Sequence, residues 1–472
     1  MRFCLAFMLI LAWSGCGEES RPTRSIGIGE LRDKIAGGWV GQFAGVAWGM
    51  STEFVYMGEI IPEEEVPDWI PEWINVGYAQ DDVYVEIPFI QAMREHGVNC
   101  DWSHFGSAFA DTTFALWHAN RAGRENLQAG IPVPDSGHYQ NNQHCDDIDW
   151  QIESDFAGMI APGLPGVAAE IAWRGGHVMN YGDGVYGGAW VAAMHAEAFF
   201  AESIDEIIEA GRRVVPEGSR FRAVIEDVLD WHKQFPDDWT RTWQALQDKW
   251  GEVDRCPEGR DHPYNIDAKL NAAYVLIGLL YGRGDFEDSV RISMRCGQDS
   301  DCNPSTVGAI LGNYSGLSEI PLRFKTALDY TEYFSHTSAT LDDCLTWCED
   351  LAYEVLQSAG GNVTGTTDEE VWTSPRRKIE PLILEQWPEE DNPAPALNSE
   401  VVSVKGLTAT FSARALDSDG IQEYMWFFGD LEYARGREVR HAYREPGVYS
   451  VLSYASDRLG NTSWRSLLVT IE

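Results

Sequence analysis

Two short acidic stretches carry the residues best suited to chemistry. One runs Gln80-Asp81-Asp82 to Glu86, and the other runs Gly297-Gln298-Asp299-Ser300-Asp301-Cys302-Asn303-Pro304. Asn303 suits a helix N-cap and Pro304 the turn that follows it. That places Asp299 and Asp301 in the turn before a helix. Alternate residues of an extended turn face the same way, so the two carboxylates converge. Crowded carboxylates raise one another's pKa unless a cation neutralises them. Hard oxygen donors of this kind select Mg²⁺, Ca²⁺ or Mn²⁺. The competing reading is structural, with DSD a capping turn and DD a helix start, since acidic pairs suit helix N-termini.

A second set of residues is polar rather than acidic. The segment 136–150 is too polar for a core and mixes aromatic, amide and acidic groups suited to sugar hydroxyls. From it, His138, Asn142 and Trp150 are candidate substrate contacts. Asp147 and Asp149, with Glu153 just beyond, are candidates for acid–base work. The alternative is a solvated loop. Residues 176–184 read as a second substrate loop through His177 and Asp183, although His177 reads equally well as a hydrogen-bonded structural histidine. The 19 tryptophans offer stacking platforms for sugars, but most large aromatics belong to cores.

The elements that must position these groups are mostly helical from Leu31 to about Gly360. Ile266, Leu270, Ala273, Tyr274, Ile277 and Tyr281 form a stripe of 3.6-residue period. Asp285 to Arg295 has a capping Asp, acidic residues in its first turn and Gly297 beyond its end. Val167 to Trp173 and Tyr186 to Phe200 read as helices rich in small residues, which permit close contacts. Pro88 either kinks the helix after Asp81-Asp82 or starts it. Residues 361–394 read as a linker with one strand considered at Ile379 to Leu384. From 395 to 472 the pattern changes to short strands of period two separated by turn signals, as in a small β-sandwich. No phosphate-binding glycine loop of the nucleotide folds appears.

The chain has 472 residues, with 35 Lys plus Arg against 74 Asp plus Glu and a net charge of −39. Such a surface repels phosphate backbones and anionic lipid, which excludes nucleic acid as a partner. Residues 1–16, MRFCLAFMLILAWSGC, read as an export signal, because the apolar stretch is too short to span a bilayer. Ser14-Gly15-Cys16 resembles a bacterial lipobox with Cys16 as the lipidated residue, and 17–29 reads as a tether. This implies a lipid-anchored protein of the cell envelope, at the outer membrane or cell surface, held to the membrane only by its lipid. A secreted or periplasmic protein is the alternative. The remaining cysteines are odd in number and lack zinc spacing. One or two disulfides are possible in an oxidising compartment, while Cys344 and Cys348 also suit core packing on a helix.

Four stretches resemble the ADP-ribosylglycohydrolase family, in family order, over residues 31–330. They are Asp33 to Gly49 with its small residues, Asp81-Asp82, Phe156 to Gly163, and Gly297 to Gly312 followed by Glu319-Ile320-Pro321. The resemblance implies an all-α catalytic domain over about 30–360. It also implies a binuclear centre of two divalent cations, Mg²⁺ or Mn²⁺, held by Asp81, Asp82, Asp299 and Asp301. Glu53 stands where related domains place an acidic residue near the metals. Gln80, Val83 and Cys302 depart from the family's hydroxyl residues. Cys302 brings a thiol to a ligand position, a poor donor for Mg²⁺ and a better one for softer ions. The implied activity is metal-dependent hydrolysis of a glycosidic bond through an oxocarbenium-like transition state. The substrate would be an N- or O-linked ADP-ribosyl group or another glycoside. The rivals are a carbohydrate-degrading glycosidase without ADP-ribose activity and a non-catalytic glycan-binding lipoprotein. Residues 395–472, through Asp417 to Gly420, Trp426 to Asp430 and His441 to Val451, resemble a PKD domain. That is an Ig-like all-β sandwich, and it implies possible polysaccharide binding.

Overall fold

The computed structural model describes residues 23–251, 266–367, 369–388 and 393–472. The export signal, Cys16 and Cys256 lie outside the described residues. The first helix, Ile28–Gly49, is buried along almost its whole length. Its glycines at 37, 41, 45 and 49 recur every fourth residue and so share one face. That face lies directly on the helix Cys302–Ser315 and the turn before it. A Cβ on Gly37 would stand 2.2 Å from the Gly312 carbonyl oxygen, and one on Gly41 2.0 Å from that of Gly308. One on Gly45 would stand 2.2 Å from Pro304 O, and one on Gly49 1.9 Å from Ser300 O. The partners step back by four as the glycines step forward by four, so the helices run antiparallel with their backbones touching. Only glycine permits this approach. It fixes the register of the Asp299–Asp301 turn against the end of the first helix.

Three further helices complete the centre of the bundle: Pro165–Gly176, Asp183–Ala198 and Ala268–Gly282. They match the three helical stretches expected from small residues and periodicity, except that Phe199 and Phe200 lie past the end of the second and Ile266 before the start of the third. Asp285 caps the helix Phe286–Arg295, accepting the Asp288 N–H at 2.8 Å, and Gly297 follows with φ 82°. Asp81–Tyr84 and Glu86–His96 are separate helices. Pro88 sits in the first turn of the second, where its missing N–H costs nothing. It therefore starts that helix and does not kink one. The closing helix begins at Cys302 with Asp301 in the cap position. Asn303 is thus inside the first turn, not the cap expected of it; its side chain instead donates to Asn271 Oδ1 at 2.8 Å. Cys344 and Cys348 are buried on Leu341–Ser358, and no disulfide joins two of the described cysteines. No helix among the described residues is long and apolar enough to cross a membrane.

The strand β1 (Thr23–Gly27) lies in the segment expected as a tether. It pairs with β3 (Val371–Pro375), which also pairs with β2 (Asn362–Thr364). Residues 379–384 form no strand, although Leu382 and Ile383 are buried. The C-terminal strands are β4 (Ala396–Lys405), β5 (Thr408–Leu416), β6 (Ile421–Phe427), β7 (Tyr433–Arg435), β8 (Glu438–Ala442), β9 (Gly447–Asp457) and β10 (Thr462–Ile471). They make two antiparallel sheets, ordered β10-β9-β6-β7 and β4-β5-β8. Alternation along β6 and just past it divides the side chains between two cores. Trp426 and Phe428 pack into the sandwich with Phe411 and Tyr443. Phe427 faces the helices and stacks on Trp173 at 4.1 Å.

Candidate metal centre

The centre is built where three segments meet. Residues 52–56, after the first helix, run beside residues 298–300. Phe54 N–H donates to Gln298 O at 2.9 Å, Gln298 N–H donates to Tyr56 O at 2.8 Å, and the Thr52 and Ser300 hydroxyls meet at 2.8 Å. Phe54 and Gln298 both hold positive φ, 52° and 55°. This local pairing turns Glu53 towards Asp299 and Asp301. The third segment is the short helix Asp81–Tyr84.

Two groups of donors result. Oxygens of Glu53, Asp299 and Asp301 lie within 4.8 Å of one another, and so do those of Asp82 and Asp301 with the Cys302 sulfur. Asp301 belongs to both. The Cys302 thiol donates to Asp82 Oδ2 at 3.3 Å. Asp82, Asp299 and Asp301 are buried, Asp81 is half-buried and Glu53 lies exposed at the rim. Asp82 Oδ1, Asp299 Oδ1 and Asp301 Oδ1 are each buried without a hydrogen-bond partner. Such orphaned oxygens are costly unless something neutralises them. The donor set, mostly carboxylate oxygens sharing one bridging residue, fits one or two hard divalent cations.

The electrostatics agree. Burial first, then the charges of Asp301 and Asp81, hold the Asp82 carboxyl well above the usual range. Burial and Asp301 likewise push Asp299 up, and they raise Asp81 to about 6. Desolvation at the rim, with Asp301 and Asp81, raises Glu53 to about 8. Ligating carboxylates must shed these protons. Cation affinity is therefore expected to climb with pH between about 6 and 8, with protons released on binding. Calorimetry in buffers of different ionisation enthalpy measures both, and a pH-independent affinity would contradict this. The sign for folding is opposite. Carboxyls raised in the native state favour folding below their unfolded pKa and lose that contribution as pH rises through the folded value. Cation-free protein is thus expected to melt lower at pH 8 than at pH 5, and saturating cation is expected to flatten the difference.

Beneath the aspartates lies a buried polar layer that the sequence did not point to. Gln42 Nε2 donates to Glu86 Oε1 at 2.6 Å, to Asp155 Oδ2 at 3.3 Å and to Asp82 O at 3.2 Å. Asp155 meets His195 Nε2 at 3.2 Å, and His195 Nδ1 meets Asn313 Oδ1 at 2.5 Å. Gln42 is one amide in a helix face of small and apolar residues, and that isolation is its only sequence signal. Asn120 was missed as well. Its N–H donates to Asp149 Oδ1 at 2.9 Å and its side-chain amide to Glu153.

The other expected site residues divide. Asp149 lies near enough to Asp81 to feel its charge; burial above all, then Asp81, lifts it to about 7. Its Oδ2 is buried without a partner. Glu153 is fully buried and raised by burial, Asp149 and Asp81. Asp147 pairs with His144 Nδ1 at 2.8 Å and is not among the grouped donors. Trp150 is core and offers no sugar surface: its indole is fully buried against Gly175, Gly176 and Gly188, with its N–H on Ala172 O at 2.7 Å. Asn142 is a buried clamp on the Ala119 and Met179 carbonyls. Asp183 is buried near Lys269 Nζ at 3.6 Å, with Asp267 and Asp146 on the same ammonium, and accepts the Phe221 N–H. His177 is structural, its Nδ1 on Trp173 O and its Nε2 on the buried Glu385 carboxylate. His138 lines a separate cavity with His177.

Cys302 makes the donor set softer than an all-oxygen one. Cys302→Thr is expected to shift the preference from Mn²⁺ towards Mg²⁺, read as the ratio of the two dissociation constants. An unchanged ratio would show that the sulfur does not take part.

A sequence model of the ADP-ribosylglycohydrolase family matches residues 29–360, and one of the PKD domain matches residues 390–470. Among solved structures, an ADP-ribosylglycohydrolase-related protein complex is 16% identical, with a TM-score of 0.46. The match covers 69% of this chain and 99% of that one. The PKD1 domain of the Vibrio cholerae metalloprotease PrtV is 26% identical with a TM-score of 0.16. It covers 17% of this chain and 98% of that one. The PKD1 domain of Vibrio anguillarum Epp is 26% identical over the same shares, with a TM-score of 0.17. No curated protein matches the chain.

Proposed function

The chain belongs to the ADP-ribosylglycohydrolase family, and we propose that it is a metal-dependent glycohydrolase acting on an ADP-ribosyl group or another glycoside. The observation that carries the reading is the trio of buried, unpartnered Oδ1 atoms on Asp82, Asp299 and Asp301. Asp81, Asp82, Asp299, Asp301 and Glu53 would hold one or two cations, Mg²⁺ or Mn²⁺, with Cys302 beside them. A cation bound there supplies positive charge to orient sugar oxygens and to ease deprotonation of water.

The chain's own residues supply the rest. Asp149, lifted to about 7 beside Asp81, is about half protonated at neutral pH and in that form can pass its proton to a leaving group from its unpaired Oδ2. Asn120 fixes the other oxygen, so the proton sits on the free one. Gln42 and Glu86 brace the helix that carries Asp82. Residues 1–16 support, as part of the same proposal, a lipid-anchored protein of the cell envelope. Metabolic labelling with a fatty acid, lost in Cys16→Ala, tests that location.

The test of function is hydrolysis by the purified protein with Mg²⁺, Mn²⁺ or Ca²⁺. The substrates are an ADP-ribosylated protein and a panel of aryl glycosides and polysaccharides. Cation-dependent turnover is expected, with Asp149→Asn losing it while still binding cation. Cation binding without turnover on any substrate would move the protein to a binding role.

A further inference from the structure

A cavity of about 390 Å³ lies at the seam between the helical bundle and the β-sandwich. Its walls come from residues 134–141, from His177 and Tyr181, from Glu385, and from Tyr454 and residues 462–465 of the sandwich. The seam is a fixed structure. Tyr181 Oη donates to Gly460 O at 3.1 Å and meets the Thr462 hydroxyl at 3.0 Å. Tyr139 Oη donates to Asn461 Oδ1 at 3.0 Å, and Ser456 Oγ donates to Leu384 O at 2.7 Å.

One lining residue carries a buried hydroxyl with nothing to bond. Tyr454 is 1% exposed, and its Oη has no hydrogen-bond partner. Its ring is held edge-on to Trp173, with ring centres 4.9 Å apart, so the hydroxyl cannot swing away to find one. His138 presents a further donor: Nδ1 accepts the Gln140 N–H, so the ring carries its proton on Nε2. Burial holds His138 down to about 4, so it stays neutral at pH 7. Trp464 lines the same space, its ring centre 5.0 Å from that of Trp102 in an edge contact. Thr462, Ser463 and Asn141 line it as well, held by the Tyr181 hydroxyl, Pro395 O and Asp135 O and keeping acceptor oxygens for a ligand.

We propose that this seam cavity binds a neutral carbohydrate, one or two sugar rings long, as a site separate from the metal centre. Sugars present hydroxyls around the ring edge and C–H groups on its faces. A cavity with hydroxyls, an amide and an imidazole N–H beside an indole matches both. The volume falls within the roughly 300–1,000 Å³ of small-ligand sites. Charge selects against acidic sugars. The lining sets Asp135 and Glu385 against one cation, Arg465, so it offers no net positive charge to an acidic sugar, and the chain carries −39 overall. The site joins both domains, so a glycan held there would sit beside the bundle that carries the metal centre.

The test uses the full chain and six probes: glucose, galactose, N-acetylglucosamine, cellobiose, maltose and lactose. Saturation-transfer NMR and tryptophan emission report binding. At least one probe is expected to bind saturably. Tyr454→Phe keeps the ring and removes only the hydroxyl, and is expected to weaken that binding about threefold to tenfold. Trp464→Ala is expected to weaken it about tenfold or more. Asp301→Asn, which removes a metal ligand, is expected to leave it unchanged, so failure here is separable from failure of the proposed hydrolysis. The proposal is overturned if no probe binds at about 10 mM, where even weak sites show. It is also overturned if Tyr454→Phe has no effect or if Asp301→Asn abolishes the binding.

Discussion

Asp301→Asn is expected to abolish cation binding while leaving the cation-free protein at least as stable as the wild type. Asp301 belongs to both donor groups, so its loss empties the centre in a way that loss of Glu53 or Asp82 would not. Supporting residues around metal sites typically contribute about 10–100-fold to affinity, and a shared ligand should exceed the upper figure. Hydrolysis should fall with it. The stability result has the opposite sign to most buried substitutions. Asp301 raises the pKa of Glu53, Asp81, Asp82 and Asp299 through its charge. Removing that charge relieves repulsion in the empty centre, at the expense of little packing because Asn is nearly isosteric. Thermal melts with and without Mn²⁺ separate the two effects. Wild type should gain stability from the ion by mass action, and the variant should not. A variant that melts lower without metal and still responds to Mn²⁺ would contradict this.

Gly41→Ala is expected to destabilise the protein by about 3 kcal/mol, the upper end of overpacking penalties. Helix propensity alone predicts the reverse sign, since Ala is better than Gly by roughly 1 kcal/mol in a helix interior. The contact decides. The added Cβ would stand 2.0 Å from the Gly308 carbonyl oxygen and 2.9 Å from Ala309 N, both backbone atoms. Neither can rotate away, so the helices must separate. Gly29→Ala is the control: a Cβ there meets nothing within 4 Å, and propensity should show through as a small gain. The melting temperature of the first variant should fall by roughly 6 °C or more, while the second stays level or rises. Equal behaviour of the two would mean that the glycine face is not a close contact. Gly49→Ala extends the argument to function. Its Cβ would press on Ser300 O and Asp301 Cα, displacing the turn that carries two ligands, so cation affinity should suffer as well as stability.

The aspartate clusters were legible because their chemistry is local. Asp299 and Asp301 are two apart in one turn, and Asp81 and Asp82 adjacent at a helix start, so spacing offers a cation site or a pair of helix starts, and the family resemblance favours the cation. Their convergence depends on the glycine face, whose four-residue period is also written in the sequence. Several polar residues of 136–150 and 176–184 serve the fold for a definite reason. Polarity in a segment signals hydrogen bonding, not exposure, and Asn142, Asp147, Trp150, His177 and Asp183 are all buried. Asn142 clamps carbonyls, Asp183 stands by Lys269, and Trp150 fills the space left by Gly175, Gly176 and Gly188. Such partners are distant in sequence and carry no local pattern. Gln42 and Asn120 escaped notice for the same reason, each being a single amide whose task is set by residues 33 to 113 positions away. In the sandwich, β7 and β8 are short and separated by a turn at Gly436, so their period-two signal is weak, whereas β9 and β10 are long enough to show it.

Crystallography tests the cation centre at Asp301 without intermediaries. Crystals of the protein soaked in Mn²⁺ would be measured at a wavelength where manganese scatters anomalously. At least one peak is expected in contact with Asp301, shared with Asp82 or with Asp299, and none in the same soak of Asp301→Asn. A wild-type map with no anomalous density at these aspartates, under saturating Mn²⁺ at pH 8, would contradict it.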